Sequence, residues 1–85
     1  MPVVLRSDGY IFFFYSNEGD PREPIHIHVR KGGAEAKIWL EPSVALAESN
    51  GFNSRELSVI IRLALESEAK IKRAWHDHFG NERSL

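Results

Sequence analysis

Two imidazoles, His26 and His28, stand two residues apart in the run Pro24-Ile25-His26-Ile27-His28-Val29. On an extended backbone side chains alternate, so both rings fall on one face and Ile25, Ile27 and Val29 on the other. Such a pair can serve as two arms of a metal site, as proton carriers, or as part of a contact surface. Zinc needs three or four ligands. The neighbours must decide between these chemistries.

Those neighbours follow from Gly32-Gly33, which separates two strand-like runs, 25–31 and 34–41, and marks a hairpin with a two-residue primed turn. That turn sets Lys31 opposite Ala34, Arg30 opposite Glu35, His28 opposite Lys37, Ile27 opposite Ile38 and His26 opposite Trp39. One face then carries Ile25, Ile27, Val29, Ala36, Ile38 and Leu40, and is core. The other carries His26, His28, Arg30, Glu35, Lys37, Trp39 and Glu41. A slip by one residue would bury the charges, which holds the register.

Lys37 and Trp39 do not ligate zinc, and His76 and His78, two apart on a helix, splay by about 200° and cannot share an ion. No metal and no cofactor is expected. His26 or His28 with Arg30, Lys37 and Tyr15 matches the toolkit of metal-independent ribonucleases, in which imidazoles move protons and cations steady phosphate charge. As a contact surface, His26, His28, Arg30, Lys37 and Trp39 form the candidate binding set, because an indole flanked by cations suits a hot spot or a stacking platform.

The elements that hold these residues read as α+β: a small antiparallel meander of three to four strands packed by a short helix and a long C-terminal helix. Strands are expected at about 3–6, 10–16, 25–31 and 34–41, and helices at about 43–49 and 54–79. Tyr10 to Ser16 is aromatic on both period-two faces, as suits a central strand covered on both sides. Residues 17–24 form a loop with acidic residues, Gly and two prolines, and the spacing of Glu18, Asp20 and Glu23 does not fit a calcium loop. Pro42 and Asn50-Gly51 frame the short helix. Asn53, Glu56, Phe52 and Leu57 form a capping box with a hydrophobic staple, and Gly80 closes the far end. Leu57, Ile60, Ile61, Ala64, Ile71, Trp75, His78 and Phe79 share one stripe of the long helix. At 1.5 Å per residue it would run about 39 Å, too long for the domain, so it must bend, break or overhang at Glu66-Ser67-Glu68.

Length bounds the rest: 85 residues make one domain, 1–85, and the chain has no cysteine, hence no disulfide and no thiolate chemistry. The start lacks a basic segment and a long apolar one, so no signal peptide is expected, no membrane span is long enough, and a cytoplasmic address follows. Net charge is -1 and both halves are balanced, which removes any bulk signal for nucleic acid. The segment 43–66 imitates a helix-turn-helix but offers only Arg55 and Arg62 outward, so DNA reading ranks last.

The motifs "DGY.FFFYSNE", "EP.H.HV", "AK.WL.P", "GFN..EL" and "W...FG", in this order over nearly the whole chain, resemble the small prokaryotic family called domain of unknown function 4160. The chain departs from the family at Ile25, where a second proline is frequent, and at the apolar Ile61 and Leu65. The resemblance brings no catalytic residues. It implies gene pairs of toxin–antitoxin type, with a protein partner encoded nearby. His26, His28, Lys37 and Trp39 match recurrent positions of the family. The leading expectation is an interaction domain that binds a protein partner or RNA through the sheet face; the alternative is a metal-independent ribonuclease-like toxin. Neither the partner's identity nor an oligomeric state follows from the sequence.

Overall fold

The computed structural model describes residues 2–15 and 23–80. Five strands form one antiparallel meander in the order β1-β2-β3-β4-β5, followed by two helices. They are β1 (Val3–Ser7), β2 (Tyr10–Phe13), β3 (His26–Lys31), β4 (Ala34–Trp39) and β5 (Ala45–Asn50), then α1 (Ser54–Glu66) and α2 (Glu68–Phe79). The fold is α+β with one strand more than the upper expectation.

Local chemistry explains the first turns. Asp8 and Gly9 both take positive φ, 54° and 85°, as a two-residue turn between strands with right-handed twist requires. In the β3–β4 turn only Gly32 does, at 60°, the mark of the other primed type. The resulting β3–β4 register pairs His26 with Trp39, His28 with Lys37 and Arg30 with Glu35, as the two-glycine spacing dictates.

The short helix expected at 43–49 is corrected: residues 45–50 form β5, antiparallel to β4. Lys37 faces Glu48 whereas Ile38 faces Leu46, so Ala47 is an extra residue, a bulge. The bulge places Leu46 and Ser49, three apart, on one side of the strand. That spacing imitates a helical stripe. Pairing with the open edge of β4 then outweighs the helix preference of Ala, Leu and Glu.

Beyond Gly51, Asn53 caps α1 with both bonds of the reciprocal box, Asn53 Oδ1 accepting from the Glu56 amide at 2.8 Å and Glu56 Oε1 from the Asn53 amide at 2.9 Å. Phe52 reaches the Tyr10 ring, centroids 5.9 Å apart. The expected 54–79 helix is interrupted at Ser67, whose φ of -108° and ψ of 15° leave the helical range. Leu63 joins Ile60, Ala64, Ile71 and Trp75 among the buried helical residues, while His78 is exposed despite its place in the expected stripe. Both helices pack on the sheet face of Tyr10, Phe12, Phe14, Ile27, Val29, Ile38 and Leu40. No helix among the described residues is long and apolar enough to cross a membrane. Ser16 and most of the 17–24 loop, with Glu18 and Asp20, lie outside the described residues.

Candidate interaction surface

Opposite the helices, cross-strand pairing builds three rows on the second sheet face: Phe13–His28–Lys37–Glu48, Ile11–Arg30–Glu35–Asn50 and His26–Trp39–Ala45. Direct neighbours across strands share a face, so these rows are consequences of register. They bring all five expected residues, His26, His28, Arg30, Lys37 and Trp39, onto one surface.

The five do not share one environment. His26 is fully buried. Its Nδ1–H donates to the Pro24 carbonyl at 2.9 Å, and its ring meets Trp39, Trp75 and His28 edge-on at 5.6, 5.2 and 5.3 Å. The bond to a carbonyl fixes the proton on Nδ1. His26 therefore positions its neighbours. His28 is 8% exposed, stacked on Phe13 at 5.6 Å and edge-on to Tyr15 at 4.6 Å. Phe13, fully buried on this polar side, sits under the Arg30 guanidinium at 4.9 Å.

Charges complete the surface. The Tyr15 hydroxyl donates to Glu35 Oε2 at 2.7 Å, and the same oxygen lies 3.8 Å from His28 Nδ1. Lys37 Nζ reaches Glu23 Oε1 at 3.1 Å and stands 4.5 Å from the centre of the half-buried Trp39 ring, a cation–π arrangement. Beside this network, His28, Glu35, Ala36, Lys37, Glu48, Ser49 and Asn50 line an open cleft of about 410 Å³. Of these, Glu48 and Ser49 belong to the segment whose composition reads as helix and Asn50 to its expected terminator, so the sequence places none of the three on this face. Tyr15 and Glu35 were visible on the right face, but nothing in their spacing announced their bond.

Among the described residues, no three His, Asp or Glu side chains are grouped to hold a metal ion. His76 is half-buried with no hydrogen-bond partner for Nδ1 among the described residues, and the exposed His78 stacks on Phe14 at 6.3 Å.

A meander sheet with two helices on one face and a ring-and-charge network on the other defines a small α+β domain whose open face is the chemically rich one. Residues 9–76 match the family described as domain of unknown function (DUF4160), and the chain belongs to that family. No curated protein and no solved structure matches it.

Proposed function

We propose that the chain is a cytoplasmic prokaryotic interaction domain, one component of a toxin–antitoxin-like pair, that binds a protein partner through the polar sheet face. The observation that carries this reading is the cleft of about 410 Å³ floored by His28, Lys37 and Glu48, with Trp39 in the next row. An indole half-open to solvent beside a polar cleft is the composition of an interface centre. The mixed charge of the face, with Glu23, Glu35 and Glu48 against Arg30 and Lys37, suits a protein better than a phosphate backbone. The idea of a partner encoded nearby comes from the family resemblance.

Co-expression with the product of the adjacent gene tests it: the pair should co-purify, and Trp39→Ala should abolish the complex while the domain keeps its fold. Co-purification unchanged by Trp39→Ala and by Lys37→Glu would sink the reading.

One contact favours a second reading. Glu35 beside His28 Nδ1 is an acid–imidazole pair of the kind that orients a general base, as in a metal-independent ribonuclease-like toxin. Induction of the chain without its neighbour separates the two. RNA cleavage lost in His28→Ala supports the enzyme, and intact RNA removes it.

A further inference from the structure

We propose that β5 is a docking edge that takes up an extended, basic segment of a partner protein as a sixth strand. The proposal rests on the polar face being a protein-binding surface, and it adds the chemistry of the partner and the place where it joins.

β5 ends the sheet and pairs on one side only, with β4. Five of its six residues are exposed, against two of five in β1, the other edge, which α2 approaches. An edge strand presents unpaired N–H and C=O groups, and folded proteins shield such edges with Pro, Lys, bulges or a covering element. Residues 45–50 contain neither Pro nor Lys; the bulge at Ala47 and the exposed charge of Glu48 are the shielding devices of the strand, and that charge repels an acidic strand while it accepts a basic one. Leu46, 42% exposed, offers apolar area on the helix side. Main-chain pairing along such an edge supplies affinity, and alternate side chains supply selectivity.

Selectivity here comes from charge. The row His28–Lys37–Glu48 ends at the edge with a carboxylate, and the next row ends with the Asn50 amide. Lys37, the cross-strand neighbour of Glu48, turns its ammonium to Glu23 and to the Trp39 ring instead. Among the described residues no cation pairs with Glu48. A strand added outside β5 would set a side chain directly opposite Glu48, and a Lys or Arg there closes an ion pair at the rim of the cleft. A second copy fits less well. A two-fold pairing that keeps like faces together sets Ala45 against Asn50 and Leu46 against Ser49 of the other copy, and it brings two Glu48 carboxylates side by side with no cation between them. RNA would meet the same carboxylate with its phosphates.

The full chain, labelled with nitrogen-15, would be titrated with three probes: acetyl-Thr-Val-Lys-Val-Thr-amide, the same peptide with Glu for Lys, and an oligouridylate. The lysine peptide is expected to shift the amides of 45–50 and slow their hydrogen exchange, and to bind at least tenfold more tightly than the glutamate peptide. Glu48→Lys, with an otherwise unchanged spectrum, should invert that preference. Equal binding of both peptides, or none at millimolar concentration, overturns the proposal. Shifts confined to the Lys37 and Trp39 rows, with no protection in β5, overturn the edge while leaving the polar-face reading intact. Protection of β5 that grows with domain concentration alone assigns the edge to a second copy, and shifts from the oligouridylate alone assign the face to RNA; either result refutes the basic-strand proposal.

Discussion

Tyr15 and Glu35, twenty positions apart in the chain, are joined by a 2.7 Å hydrogen bond across the polar face. Register alone sets Glu35 in the row of Arg30 and Ile11, away from Tyr15, which follows the end of β2. The Tyr15 ring lies edge-on to Phe13 at 5.1 Å and to His28 at 4.6 Å, and its hydroxyl shares one Glu35 oxygen with His28. Tyr15→Phe removes the donor and keeps the ring. A hydrogen bond to a charged group contributes about 1.5–3 kcal/mol when enclosed, and the partial exposure of Glu35 lowers the expected loss to about 1 kcal/mol. Urea unfolding of the two proteins measures it, and no loss would mean that the hydroxyl is equally well served by water.

Phe13 makes the polar face more than a coat of charges. It is fully buried under Arg30, His28 and Tyr15. Phe13→Ala should cost about 3–4 kcal/mol, as in an ordinary core. Leu65→Ala, at a site 55% exposed on α1, should stay within about 0.5 kcal/mol. Equal costs in chemical denaturation would contradict the second small core.

Gly51 turns the chain from β5 into α1 at φ 99°, where a Cβ would stand 2.9 Å from the Ala34 Cβ and 3.1 Å from its Cα. Gly51→Ala meets an unfavourable backbone region and a backbone atom that cannot swing away. The expected destabilisation is about 2–4 kcal/mol. A midpoint of thermal unfolding unchanged from wild type would refute the close approach.

Asn53→Ala breaks the reciprocal cap of α1 and should cost about 1 kcal/mol. Asn53→Ser, which keeps an acceptor oxygen, should recover most of the loss. Equilibrium unfolding of the three proteins gives the comparison.

Much of this was legible in the residues. Gly32-Gly33 between alternating runs fixed which side chains of β3 and β4 face one another, and the Asn53–Glu56 spacing announced where α1 begins. The element that was missed, β5, fails for a local reason: its one-residue bulge at Ala47 breaks the period of two from which a strand is recognised. The environment of His26 was missed for a distant one. Period two places the ring on a face but says nothing of what closes over it, and the indole that does so comes from Trp75, in the last helix. The interruption at Ser67 was readable from the excess length of a continuous helix and from the acidic residues on either side of it.

Trp75 lies against Phe14 at 5.5 Å and against His26 at 5.2 Å, although Phe14 belongs to the core face and His26 to the polar one. β3 runs two residues past its last pair with β2, Phe13 with His28, and at that open corner one indole touches both layers. The two sides of the sheet are mechanically coupled there. A ligand that shifted the His26 ring would press on the indole that anchors the C-terminal helix, so its arrival at the front of the molecule is expected to register in the Trp75 signal at the back.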